Sequence, residues 1–253
     1  MFNNLFSRSV SQPTPASPDA PTPAPPPAAV QRTSVTDLIK KADVSLRKND
    51  LNGQRAAVYL VLDRSGSMRG HYGDGSVQYL SEQTLGLARN LDDDGTVPVV
   101  FFSTAIDGTT EVSLDNYAGR IESAHRGLGP MGATHYEKAI DHVVKQHLAS
   151  PAHAKGIPAL VIFQTDGGPS KQHAAAAALR AASVYPLFWA FVGYGKKIEF
   201  LDKLDELTGR AVDNASHFPA ADPHHVADEA LYDHLSVQLR TWLVQARAKG
   251  IVR

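Results

Sequence analysis

Short apolar runs alternate with segments of helical periodicity along most of this chain, and that alternation leaves few folds open. Residues 56–62 form a continuous apolar run that stops at Asp63, as expected of a strand buried on both faces. A helix is expected over 77–91, then a strand over 97–103 and a short edge strand near 110–114. Helices over 117–124 and 136–148 lead to a strand at 158–164, a helix at 173–183 and a strand at 186–192. A helix over 198–207, a weaker strand over 211–218 and a long helix over 224–247 complete the series. Strands separated by helices predict an α/β fold: a mostly parallel central sheet with helices on both faces and one short antiparallel edge strand.

Two segments precede this alternation. Residues 1–33 read as a disordered Pro/Ala-rich tail, because eight of the 16 prolines fall between Pro13 and Pro27 and proline removes backbone donors while fixing φ. Residues 34–53 read as a lead-in helix and linker, with Leu38, Ile39, Ala42 and Leu46 on one face. The main domain is expected over 54–253. The first eight residues lack the long apolar stretch of a secretory signal, and no run approaches the roughly 18 apolar residues of a membrane span. With no cysteines, disulfides, thiolate zinc sites and cysteine nucleophiles are excluded. Lys plus Arg is 25 and Asp plus Glu is 26, a net charge of −1, so nothing drives the chain toward nucleic acid or an anionic membrane. A cytoplasmic location is the expectation.

In parallel sheets ligands gather beyond the carboxyl ends of the strands, and three polar clusters fall there. Asp63-Arg64-Ser65-Gly66-Ser67 follows the first strand, Gly132-Ala133-Thr134 precedes a central helix, and Thr165-Asp166-Gly167-Gly168 follows the fourth strand. Asp63 and Asp166 offer two carboxylates, and Ser65, Ser67 and Thr134 three hydroxyls. Hard oxygens without sulfur or imidazole suit Mg2+, with Ca2+ or Mn2+ as alternatives, rather than zinc or copper. Asp63 and Asp166 on neighbouring strands would repel each other unless a cation lay between them. Taken alone, Thr134 reads as a helix N-cap, with Glu137 three residues on completing a capping box.

Asp63-x-Ser65-x-Ser67 after an apolar strand, with Thr134 and the Asp166 of Thr-Asp-Gly following in order, resembles the metal-ion-dependent adhesion site of von Willebrand factor A (vWA) domains. The likeness covers roughly residues 54–220. A narrower resemblance, to the vWA branch of bacterial tellurium-resistance and stress proteins, rests on Gly95-Thr96-Val97-Pro98-Val99, on Phe200-Leu201 through Leu204-Asp205, and on Val212-Asp213-Asn214-Ala215. Copine A domains share part of the layout. The resemblance implies a Rossmann-like sheet and a cation that binds an acidic partner residue, and with no nucleophile–base pair near the three loops a non-enzymatic module is the expectation. In such a module Ser65, Ser67 and Thr134 contact the ion, Asp63 and Asp166 bind it directly or through water, and a protein partner supplies an acidic residue. His135 and Tyr136 make the second loop bulkier than in adhesion receptors, and with His71 they are the candidates for a partner-binding rim.

Two other functions compete. A Mg2+-dependent phosphoryl-transfer hydrolase would also place an aspartate after the first strand. The pattern of aspartate-nucleophile phosphatases is Asp-x-Asp-x-Thr, however, and Ser65 stands where the general acid belongs. No phosphate-binding glycine loop and no nucleophile elbow is present. Copine-like calcium-dependent membrane association is disfavoured by the near-neutral charge.

Overall fold

The structure of the protein, a computed structural model, describes residues 32–92, 94–204 and 206–253. Of the segment read as a tail, residues 1–31 lie outside it, as do Asp93 and Asp205. Six strands, β1 (Ala57–Asp63), β2 (Val97–Phe102), β3 (Ile106–Val112), β4 (Ala159–Thr165), β5 (Leu187–Tyr194) and β6 (Ala215–Ala220), make one sheet in the order β3-β2-β1-β4-β5-β6. Neighbours run parallel except β3, which is antiparallel to β2. The mixed α/β architecture expected from the sequence is the one observed. β1, β4 and β5 are buried at every position, which is why they read as unbroken apolar runs.

The helices are α1 (Val35–Lys48), α2 (Arg69–Gly73), α3 (Ser76–Leu91), α4 (Arg120–Arg126), α5 (Tyr136–Leu148), α6 (Pro151–Ala154), α7 (Gln172–Ala182), α8 (Glu199–Asp202) and α9 (Asp228–Ala248). A 3-10 turn, Gly66–Met68, precedes α2. Strand alternation divides the core. Val58, Leu60, Leu62 and Phe188 pack with α1, α3 and α9, and Trp242 of α9 stacks on Phe188 at 5.6 Å. Tyr59, Val61, Phe163 and Trp189 pack with α5, α7 and α8 on the opposite face. Each such large side chain contributes about 1.5–3 kcal/mol by leaving water. Helix α1, read from sequence as a lead-in, is part of the first of these cores, and residues 32–253 form one unit.

The strand order places the site. The chain builds β1, β2 and β3 outward, then returns to lay β4 on the other side of β1. The connections from β1 and β4 therefore leave in opposite directions, opening a crevice beyond their carboxyl ends.

Three elements differ from expectation. The edge strand spans Ile106–Val112 rather than 110–114, because Asp107 and Gly108 hide its start from any apolar pattern. The helix expected over 198–207 is one turn: beyond Asp202 the N–H groups of Leu204, Glu206 and Leu207 donate three residues back rather than four, and the Arg210 guanidinium donates to the carbonyls of Leu204 and Leu207. The last helix begins at Asp228, not 224, because the Asp222 carboxylate accepts the His224 N–H and holds that stretch as a turn. Among the described residues no helix is long and apolar enough to cross a membrane.

Candidate metal centre

β1 ends at Asp63 and β4 at Thr165, side by side at the crevice. The fully buried Asp63 carboxylate accepts the Ser65 N–H through Oδ1 and the Thr165 hydroxyl through Oδ2, each at 2.6 Å. Its backbone carbonyl accepts the Tyr72 hydroxyl at 3.0 Å. Burial pushes the Asp63 carboxyl up to about 6 against the pull of the Thr165 and Ser65 hydrogen bonds, and the Asp166 charge pushes the same way. Ser65 Oγ lies 3.2 Å from Ser67 Oγ, and the Ser67 hydroxyl donates to Asp166 Oδ1 at 2.8 Å.

The loop carrying Thr134 is fastened to both of these turns. Gly66 N–H donates to the Gly132 carbonyl at 3.1 Å, and Gly132 N–H donates to the Arg64 carbonyl at 3.2 Å. Thr134 N–H reaches Ser170 Oγ at 3.2 Å, while Ser170 N–H donates to the Thr134 carbonyl at 2.8 Å. A Cβ at Gly132 would lie 2.6 Å from Thr104 Oγ1 and 2.8 Å from Ser103 Oγ, so both hydroxyls would have to move.

The donor set suits a hard divalent cation. Oxygens at about 2.0–2.1 Å around an octahedral ion sit about 3 Å from one another. The Ser65, Ser67 and Asp166 oxygens, spaced 3.2 and 2.8 Å apart, already have that spacing. Among the described residues no group of three His, Cys, Asp or Glu side chains is placed to hold a metal, so hydroxyls must complete any set here, which favours a hard ion over zinc.

The model of the vWA domains found at the C terminus of TerF proteins matches residues 55–252. The chain belongs to this family. The uncharacterized protein YcbR of Bacillus subtilis (strain 168) is 33% identical over 222 residues, 86% of this chain and 90% of YcbR. Among solved structures, the von Willebrand factor type A protein from Catenulispora acidiphila aligns with a TM-score of 0.51 at 16% identity, covering 74% of this chain. This chain spans only 43% of that one, and the likeness establishes the fold alone. A manganese-loaded TRAP protein of Plasmodium vivax aligns at 22% identity with a TM-score of 0.48, over 73% of this chain and 74% of its own.

Within this vWA domain the five candidate ligands come from the three expected loops. Asp63, Ser65, Ser67 and Asp166 are joined by the contacts above, and the loop carrying Thr134 is fixed by its backbone, at Thr134 to Ser170 and at Gly132 to the first turn. The rim reading needs correction at Tyr136. That side chain is 0% exposed, packed against Phe102, Phe163 and Phe191, and its hydroxyl donates to the Gly167 carbonyl. It braces the third loop from inside and cannot meet a partner. His135 is largely covered and lies 3.2 Å from Glu137 Oε1. The half-buried His71 packs edge-on against Tyr194 at 5.1 Å, with Nδ1 3.4 Å from Ser76 Oγ. Thr134 is not the cap of α5 either: His135 holds that position, with no side-chain cap. Sequence reasoning placed Thr165 in the third cluster without giving it a role, and missed Ser170; the first orients Asp63 and the second fixes the Thr134 backbone. Pairing the two strand ends would have pointed to Thr165, since it stands where β4 finishes beside Asp63.

Proposed function

We propose that this vWA domain is a non-enzymatic, cation-dependent protein-binding module. Asp63, Ser65, Ser67, Thr134 and Asp166 hold Mg2+, with Ca2+ or Mn2+ as alternatives, and a protein partner brings an acidic residue to the same ion. The observation that carries this reading is the run of Ser65, Ser67 and Asp166 oxygens about one ionic coordination edge apart, beside a carboxyl that burial disfavours as an anion. A bound cation supplies the positive charge that a partner's carboxylate needs. Thr165 and the Ser65 N–H fix the rotamer of Asp63, Ser170 fixes the Thr134 backbone, and Tyr136 stiffens the loop carrying Asp166. Such pre-positioning limits the ordering cost of binding.

A role in a bacterial tellurium or metal-stress system belongs to the same proposal and is supported by the family's link to TerF. A cytoplasmic setting without nucleic-acid partners is supported by the absence of cysteine and by the net charge of −1.

Calorimetric titration of chelator-treated protein with Mg2+, Ca2+ and Mn2+ tests the reading. Wild type is expected to bind one ion saturably, and Asp63→Ala to lose that binding by at least tenfold. An Asp63→Ala protein with wild-type affinity would remove the basis for the proposal.

A further inference from the structure

We propose that Arg64, the residue between Asp63 and Ser65, is the positioning residue that holds the 127–134 loop, and with it Thr134, against the first turn of the cation site. This rests on the cation reading above. Arg64 is 2% exposed, and a buried guanidinium persists only where its donors are satisfied. Its Nη1 donates to Asp107 Oδ2 at 2.7 Å, its Nη2 to the Gly129 carbonyl at 2.7 Å, and its Nε to His125 Nδ1 at 3.1 Å. The Arg64 carbonyl also receives the Gly132 N–H at 3.2 Å. One residue thus grips the loop twice, at Gly129 by side chain and at Gly132 by backbone.

That loop needs an external grip. It holds Gly127, Gly129 and Gly132 within six residues, and glycine surrenders more conformational freedom on ordering than any other residue. The other partners of Arg64 lead back to the site. Asp107 Oδ1 accepts the Ser103 hydroxyl at 2.8 Å, and the Ser103 carbonyl accepts the His135 N–H at 3.1 Å, next to Thr134. His125 stacks on Tyr72 at 3.9 Å, and Tyr72 donates to the Asp63 carbonyl. Arg64 therefore joins the first and second cation loops to the edge strand β3 and to α4.

Charge and position make opposite predictions, and this makes the idea testable. By charge alone, Arg64→Met deletes a cation next to Asp63 and leaves Asp107 unpaired, so Mg2+ should bind more tightly. By position, the freed loop must be ordered at each binding event, so Mg2+ should bind more weakly. We expect Arg64→Met to weaken Mg2+ binding by about tenfold or more, the usual effect of losing an outer-shell support. In cation-free protein, amide exchange should quicken across 127–134 and stay unchanged in β1, β4 and β5. A general loss of stability would quicken exchange in β1, β4 and β5 as well, so it does not mimic this pattern. Arg64→Lys keeps a buried charge but not the fork, and should shift both readouts in the same direction by a smaller factor; it carries the test if Arg64→Met does not fold. Unchanged or tighter Mg2+ binding, or unchanged loop exchange, overturns the assignment. If wild type takes up no cation, the cation reading fails while the exchange comparison still decides whether Arg64 holds the loop.

Discussion

Asp63 and His147 are both fully buried titratable side chains, and the same desolvation pushes them in opposite directions because it opposes whichever form is charged. His147 sits in the last turn of α5, its Nδ1 3.3 Å from the Tyr59 hydroxyl and its ring edge-on to His153 at 5.5 Å. Burial, reinforced by His153, pushes it down to about 4 against a contribution from the Ile157 backbone. An unfolded chain takes that proton near 6.5. Between the two values the unfolded state binds more protons, so the His147 contribution is complete above about 6.5 and is lost as pH falls toward 4. The loss amounts to about 2–3 kcal/mol. Asp63, pushed up by burial, has the opposite slope over part of that window, so wild type alone does not isolate His147. Urea denaturation of wild type and His147→Gln, in chelator from pH 7.5 to 4.5, isolates the effect. The stability difference between them should change by about that amount in favour of the variant as pH falls; parallel curves would mean that His147 titrates normally. At this scale the ligand side chains were legible because a strand-end turn is contiguous in sequence. Tyr136 was not, because standing two residues after Thr134 says nothing about which way the first turn of a helix points its side chain.

Among elements, α1, α3 and α9 form a layer that closes around Gly86. A Cβ at this mid-α3 position would lie 2.9 Å from the Tyr232 hydroxyl and 3.0 Å from both the backbone carbon and the Cβ of Leu38. Helix propensity alone predicts that Gly86→Ala gains about 1 kcal/mol. The two neighbours are a main chain and a hydroxyl that already donates to the Gln83 carbonyl at 2.9 Å, so neither yields cheaply. We expect a net loss of about 1–3 kcal/mol, read as a lower midpoint in thermal denaturation; a raised midpoint would show that the layer relaxes. The same layer shows where element reading succeeds. Helix α3 and strands β1, β4 and β5 were legible because burial on one stripe or on both faces leaves a periodic trace in sequence. β3 left none. The outward side of an edge strand faces solvent, and Asp107 on β3 is used for Arg64 rather than for the core. α8 gives way to i→i−3 turns through Leu207 while keeping the apolar spacing of a helix, so the pattern reads longer than the element.

For the whole molecule, the sheet's switch point fixes the site at one end, while the closure of the helical layer depends on a carboxylate elsewhere. Asp228 opens α9, is 5% exposed, and accepts four hydrogen bonds. Thr33 at 2.6 Å and Lys41 at 2.8 Å reach Oδ2, and Tyr79 and Gln83 reach Oδ1, each at 2.8 Å. Burial would raise its pKa, yet Lys41, Thr33, Gln83 and Tyr79 together hold it below the ordinary carboxylate range. The donors come from Thr33, just ahead of the Ser34 N-cap of α1, from α1 and from α3, so one side chain joins three helices that the chain lays down nearly 200 residues apart. Asp228→Ala leaves the buried Gln83 amide without its acceptor, while the partly exposed Thr33, Lys41 and Tyr79 can turn to water, and is expected to cost about 1–3 kcal/mol in chemical denaturation. Lys41 keeps Glu229 at 3.0 Å, which places the expectation toward the lower end. If the three helices are one cooperative unit, amide exchange will rise together through α1 and the first turns of α9. Fraying of α9 alone would show that α1 holds on by its apolar contacts. Mg2+ affinity should stay within about twofold of wild type, since mutations without shared partners act independently and no contact above runs from Asp228 to the cation loops. A large loss of affinity on breaking this cluster would instead show that the helical layer and the metal centre share one conformational equilibrium.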